Sequence, residues 1–311
     1  MYRFLIRRLL TACFVLWGIS FLTFMLMALA PGDPAVKIAY ARYGGEGNVD
    51  TATIEWIRQH EGLDRPLAVR YLTWLGHIVR LDLGRSLVTR GAVTPIIINH
   101  LKNTCQLALA AGLICLVISI PLGLITGIKK GSWIDTAGVG FSVLGVSMPG
   151  FWLGLLLIIV FAVELQWLPA IGRGGWRHLV LPAITLGSAI TAYTTRILRS
   201  ATAQALQSEF LLSIRAKGVA EGRVIGVHVA KNVLIPVITI IGLELGYLLE
   251  GAVITETLFS WPGIGQLMVN AVSNNDYPLI QGLVLLAAFT FVAINLIVDV
   301  LYKWLDPRIN L

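Results

Sequence analysis

Apolar residues run along this chain in blocks too long for a soluble core. No charge appears over residues 9–32, and further uncharged stretches cover 103–128, 136–163, 179–195 and 277–298. A sixth apolar block, 233–255, holds Glu244 and Glu250. A membrane-crossing helix needs about 20 apolar residues, so the pattern predicts an all-α chain with six transmembrane helices. Between the first two blocks the period changes. Asp50 can cap a short helix whose Ile54 and Ile57 share a face, with Gly62 as its stop. Pro66 opens a second helix in which Leu67, Tyr71, Trp74, Ile78 and Leu81 recur at three- and four-residue steps. These amphipathic helices read as a small lid or docking platform, or as helices lying on the outer lipid surface. The chain thus divides into 1–30, a tail and first span; 31–102, an extracytoplasmic helical segment; and 103–311, a core of five spans with a cytoplasmic loop at 202–235.

Composition agrees with this pattern. The 311 residues are 56% hydrophobic and only 13% charged, whereas about a quarter of a soluble chain is charged. That excludes a secreted domain, a nucleic-acid binder and a purely peripheral protein, and makes the lipid bilayer the first partner. The net charge of +7 is read through topology. With the N-terminus in the cytoplasm, Arg3, Arg7, Arg8, Lys129, Lys130, Arg196, Arg199, Arg215, Lys217, Arg223, Lys231, Lys303 and Arg308 all fall on short inside segments. The short outside loops, 164–178 and 256–276, carry only Arg173 and Arg177. Basic residues in the long 31–102 segment weigh little in this rule. Both termini are therefore placed in the cytoplasm of a multi-pass inner- or plasma-membrane protein. The first block exceeds the 7–15-residue core of a secretory signal and ends in Pro31-Gly32-Asp33-Pro34, so it reads as a retained span. Cys13, Cys105 and Cys115 lie in apolar runs, and an odd count argues against a disulfide framework.

Catalytic signatures are missing. No lysine stands in a G-x-x-x-x-G-K-[ST] frame, so the chain has no P-loop for ATP phosphates. Gly145-Val-Ser147-Met-Pro149 breaks the nucleophile-elbow pattern, and the five histidines show no metal-ligand pairing. An enzyme is unsupported. The informative segment is the cytoplasmic loop, which reads Gln207-Ser-Glu209-Phe-Leu-Leu-Ser-Ile-Arg215-Ala216-Lys217-Gly218-Val-Ala-Glu221-Gly222-Arg223 and then Asn232-Val-Leu-Ile-Pro236. Two short helices broken at Gly218 fit this pattern; a solvated basic loop is the plainer alternative.

That loop resembles the coupling loop of ABC importer permeases, in the branch that takes up peptides and nickel. The resemblance extends through Pro31-Gly32-Asp33-Pro34, Gly62-Leu-Asp64-Arg-Pro66, Asp82-Leu-Gly84-Arg-Ser86, Ser147-Met148-Pro149, Phe259-Ser-Trp261-Pro262-Gly263, Asp276-Tyr277-Pro278 and Asp306-Pro307-Arg308. It implies the type I importer permease fold and a second homologous permease. It also implies two ABC ATPase subunits, which use ATP and Mg, and an extracytoplasmic solute-binding protein; no cofactor is assigned to this chain. Where the importer consensus has Glu-Ala-Ala before the loop glycine, this chain has Leu212-Ser213-Ile214. The coupling candidates are Glu209, Arg215, Ala216, Lys217 and Gly218.

The substrate path is expected from intramembrane polarity. The fourth block is rich in small and hydroxyl residues, among them Thr185, Gly187, Ser188, Thr191, Thr194 and Thr195, with Tyr193 beside them. Such a helix packs closely or lines water. Glu244 and Glu250 sit where a charge must find a cavity or a partner, and Met148-Pro149-Gly150 predicts a bend beside them. The path candidates are Glu244, Glu250, Met148, Thr191 and Tyr193. The stretch 165–178 looks more like nickel-type permeases, so nickel or another metal chelate leads, followed by small peptides, with glutathione or opines behind. The rival readings are a proton-coupled secondary transporter using Glu244 and Glu250, and a membrane scaffold without a path.

Overall fold

The computed structural model describes residues 2–29, 31–43, 49–229, 233 and 252–305, with side chains from residue 6 to residue 297. In chain order the helices are α1 (Tyr2–Ala28), α2 (Pro34–Tyr43), α3 (Thr51–His60), α4 (Leu67–Val79), α5 (Val93–Ile128), α6 (Trp133–Ser147) and α7 (Gly150–Leu157), the last continuing as π-helical turns over Ile158–Glu164. Then come α8 (Trp176–Leu206), α9 (Glu209–Ala216), α10 (Glu221–Arg223, continuing as π-helical turns over Val224–Val229), α11 (252–258), α12 (Ile264–Ser273) and α13 (Tyr277–Leu305). No β-strand occurs among the described residues. The all-α prediction stands.

Three of these helices, α1, α5 and α13, are long and apolar enough to cross a membrane, and α6 with α7 forms a bent pair that passes the same test. The predicted fourth block lies inside α8, a 31-residue helix. The predicted fifth block, with Glu244 and Glu250, lies outside the described residues except at its ends. The predicted bend falls where expected: α6 and α7 diverge by 101° at Met148-Pro149. Pro149 cannot donate a helical hydrogen bond, and it drives Met148 into an extended conformation at φ −85°, ψ 125°.

Tertiary contacts group the described residues into two units. The first holds residues up to 102 together with 263–297. Here Asp50 caps α3 as predicted, its carboxylate accepting from Thr53 N at 2.9 Å. Gly62 follows the helix at φ +63°, a left-handed turn that favours glycine. Two corrections arise. Helix α2 has no counterpart in the hydrophobic pattern; it is set by Pro34 at its first position and by Asp33, which accepts from Ala35 N at 2.9 Å. Helix α4 stops at Val79, short of Leu81, which turns into the left-handed region at φ 60°. Asp82 holds that turn, accepting from Gly84 N at 3.0 Å and contacting His77 Nδ1 at 3.2 Å. These hydrogen bonds hold the Asp82 carboxyl below its ordinary value.

The first unit has two apolar centres. Ala35, Ile38, Ala39, Ile57 and Leu87 bury one, and Val93, Ile97, Ala271, Leu279, Ile280 and Leu283 the other. Asp276, at the start of α13, is 2% exposed and joins distant segments, accepting from Ser86 Oγ at 2.5 Å and Leu87 N at 3.1 Å. Helix α4 packs along α1, where Tyr71 shares a 2.9 Å hydrogen bond with Ser20 and sets its ring on Phe21 and Phe24.

The second unit runs from residue 103 to 262 and includes 298–305. Small residues bring α5 and α8 close enough for backbone contact. A Cβ on Gly187 would stand 2.8 Å from the Ala111 carbonyl oxygen, and one on Gly127 would stand 2.8 Å from that of Arg199. The packing reading of the polar fourth block therefore holds for this face, which buries Thr185, Thr191, Thr194, Thr195 and Thr202. Thr185, Thr191 and Thr195 satisfy themselves by donating to the carbonyl four residues earlier, as Thr191 does to Gly187 at 2.7 Å.

Candidate coupling site and path

The described part of the 202–235 loop folds as the sequence predicts, two short helices meeting at a glycine. Helix α8 ends at Gln207, and α9 begins after Ser208, whose backbone is extended. Helix α9 ends at Lys217, and Gly218 follows at φ +76° with its N–H on the Arg215 carbonyl at 2.9 Å. A side chain at Gly218 would have open space but would be forced into the left-handed region. Ala220 then starts α10, accepting from Arg223 N at 2.9 Å and Val224 N at 3.1 Å.

One face of this turn is fixed to the chain's own core. Leu211 and Ile214 of α9 bury against Leu198, Val224, Val229 and Val233. The opposite face is open. Phe210, Leu212 and Val227 are each more than half exposed, and Glu209, Ala216, Lys217 and Gly218 are exposed beside them. Arg215 behaves differently from the other coupling candidates. It grips Glu221 across the glycine, with guanidinium nitrogens at 2.6 and 3.1 Å from the two carboxylate oxygens. This forked pair raises the Arg215 value and holds Glu221 below the ordinary carboxylate value. Arg215 is thus a clasp that sets the angle between α9 and α10, while Glu209 and Lys217 have no such partner among the described residues.

A second ion pair lies just above the loop and was not foreseen from sequence. Arg199, near the end of α8, holds Asp135 at the start of α6 through two hydrogen bonds, the Nη2 contact to Oδ2 measuring 2.7 Å. The Asp135 side chain is only 6% exposed, and Oδ2 also accepts from Gly131 N at 2.9 Å. Ser132 caps α6 by accepting from Asp135 N at 3.4 Å. The α5–α6 turn is therefore tied to the helix that leads into the candidate coupling loop. Nothing in the spacing of Asp135 and Arg199, 64 residues apart, could mark them as a pair.

The path candidates among the described residues, Met148, Thr191 and Tyr193, do not share one environment. Thr191 is buried in the α5–α8 packing, whereas Tyr193, two residues on, is 40% exposed with the Arg196 guanidinium over its ring at 5.8 Å. Met148 stands half-buried at the α6–α7 bend. Glu244 and Glu250 lie outside the described residues. The structure supplies a buried carboxylate elsewhere. Glu256 of α11 has no exposure and accepts from Thr104 Oγ1 at 2.6 Å. Beside it the motif Phe259-Ser-Trp261-Pro262 is stitched to α5: Trp261 Nε1 donates to Asn103 O at 3.0 Å, and Asn103 Nδ2 donates to Pro262 O at 2.7 Å. The sequence places 256–276 in an outside loop, and α12 occupies ten residues of it. Among the described residues no three His, Cys, Asp or Glu side chains gather in a way that could hold a metal ion.

Comparison with known proteins places this architecture. A family described as the binding-protein-dependent transport system inner membrane component matches residues 119–311, and its N-terminal counterpart matches residues 1–108. The glutathione transport system permease protein GsiC of Escherichia coli O6:H1 is 39% identical over 310 residues, covering 100% of this chain and 99% of that protein. The GsiC of Pectobacterium atrosepticum matches at the same identity and coverage. A solved structure of the MetNI methionine ABC transporter, in inward-facing conformations, shares the fold with a TM-score of 0.52. At 16% identity it covers 66% of this chain and 95% of its own. With a matching helical fold and relatives similar along the whole chain, the chain belongs to the binding-protein-dependent transport system inner membrane component family, as a multi-pass, non-catalytic permease of an ABC importer.

Proposed function

We propose that this chain forms half of the transmembrane path of an importer for glutathione or similarly small peptides. A second permease forms the other half, two ATPases supply the energy and an external binding protein delivers the cargo. The chain crosses the membrane six times with both termini in the cytoplasm. The observation that carries the cargo is full-length similarity to glutathione permeases; the preference for nickel that the sequence suggested finds no support there. The α9–Gly218–α10 turn is the lever. Its apolar face grips the permease core while Phe210, Leu212, Glu209 and Lys217 meet an ATPase, which holds ATP and Mg. The Asp135–Arg199 pair carries the displacement to α6 and the bend at Met148. Glu244 and Glu250, with the exposed Tyr193, line the path, while Thr191 packs α8 against α5. An anionic tripeptide still carries an α-ammonium, which is the group those carboxylates would face.

Uptake of labelled glutathione, dipeptides and nickel by cells expressing this permease with its neighbouring transport genes tests the cargo. Loss of glutathione uptake on deleting the permease is expected. Glutathione uptake that stays unchanged while nickel uptake disappears would overturn the reading. Gly218→Pro should abolish uptake while the protein still inserts in the membrane; normal uptake from that variant would remove the lever assignment.

A further inference from the structure

A cavity of about 350 Å³ in the first unit has no part in the coupling site or the path. Its floor is Phe24 and Met27, in the last turns of the candidate span Ile6–Ala28, and Tyr277 at the first position of the candidate span Tyr277–Ile297 also borders it. Both spans meet the cavity at their ends, so it lies where they leave the hydrocarbon. Trp74 of α4 lines it with its ring 5.5 Å from that of Phe24. Aromatic rings of this kind collect at the membrane–water boundary. Helix α4 reaches lower still, since Tyr71 bonds Ser20, eight residues before the end of α1.

The polar part of the lining is cationic. Lys37, Arg65 and Arg70 all border the cavity, and among the described residues none of the three is paired with a carboxylate. Lys37 lies over the Tyr277 ring at 5.6 Å. The one acid in the lining, Glu61, is engaged by Arg42 at 2.6 Å, and His77 faces Asp82. Arg70 is partly buried, and desolvation without a partner pushes its value down. An aromatic and apolar floor at the span ends, under three cations lacking counter-ions, matches the chemistry of a phosphate headgroup on an acyl chain.

We propose that this cavity binds the headgroup of an anionic phospholipid in the leaflet where α1 ends, with Arg70, Arg65 and Lys37 facing the phosphate and the acyl chain running down α1. The same cations could attract a soluble carboxylate, so the test separates the two. The importer, purified with its partner subunits, is placed in phosphatidylcholine nanodiscs with graded phosphatidylglycerol, and retained lipids are counted by native mass spectrometry. Wild type should retain more phosphatidylglycerol than Arg70→Gln or Arg65→Gln, each weakening retention about fivefold. Arg70→Lys, which keeps the charge, should behave as wild type. Equal retention by wild type and both Gln variants overturns the proposal. So does displacement of the retained lipid by millimolar glutathione or inorganic phosphate, which would mark a site for soluble anions. If Arg70→Gln fails to assemble, exposed Arg65→Gln and charge-conserving Arg70→Lys still decide the matter.

Discussion

Two turns in the second unit are built to opposite effect. At Trp261 the chain is closed: a fully buried indole donates to Asn103, and Asn103 returns a bond to Pro262. Glu256 receives Thr104 beside them, also out of solvent. At Gly218 the chain is open: one face is buried, the other shows Phe210 and Leu212 to solvent, and the clasp between Arg215 and Glu221 is itself partly solvated. Buried hydrogen bonds have no competing water, so the first turn resists change. Exposed ion pairs are worth little to stability, so the second can be moved by a partner without unfolding its surroundings. The difference separates a joint that holds two helices together from the joint proposed to transmit force.

The strongest challenge to this contrast is Trp261→Ala. Removing a fully buried indole should cost about 3–5 kcal/mol, and the variant should accumulate poorly or melt far below wild type in detergent. Wild-type accumulation and melting would show that the anchor is dispensable. Next in size is the Asp135–Arg199 pair. Asp135→Asn should cost about 2 kcal/mol, because the part-buried guanidinium loses its charge partner. Adding Arg199→Gln should recover part of that loss. Additive losses in thermal unfolding of the double variant would show that the two residues do not act as a pair.

Gly218→Ala sharpens the contrast from the other side. Forcing a Cβ into the left-handed region costs about 1–2 kcal/mol, small beside Trp261→Ala. Uptake should nevertheless fall more than membrane accumulation does, because in the proposed lever the helix angle is what the partner reads. Equal falls would make the turn merely structural. The smallest effect is expected from Arg215→Gln, which should leave melting unchanged and loosen co-purification of the ATPase subunits. The clasp's pH dependence has a definite sign. Glu221 is lowered from its ordinary value of 4.5, so its contribution is complete above that value and is lost only as pH falls through the lower folded value. ATPase association should therefore be flat from about pH 5.5 to 9. A steep change inside that window would remove Glu221 from the clasp.

Much of this was legible along the chain because it depends on near neighbours. Asp50 caps α3 through Thr53, three residues away. Pro149 bends the α6–α7 pair through its own missing donor, and Gly218 takes the left-handed turn that its place between two helical segments requires. The Pro34 signal for α2 was present as well and was masked by a helix with little amphipathic pattern. The path was less legible. Hydroxyl residues on α8 suggest either a wet lining or close packing. Only the approach of Gly187 to Ala111 assigns Thr191 to packing while leaving Tyr193 exposed.

The sequence by itself determined the solvent of each segment. A bilayer selects long uncharged blocks, and backbone hydrogen bonds inside such a block must be made within the helix. The all-α class follows from that alone, and the turn between α9 and α10 follows from Gly218. Tertiary structure decided which polar side chains meet. Glu256 finds Thr104 across 152 positions, Asp276 finds Ser86 across 190, and Asp135 finds Arg199 across 64. Those pairings depend on where helices cross, and crossing is set by small residues admitting backbone contact at a few points, such as Gly127 and Gly187. No periodicity along one strand of sequence records where another segment will lie.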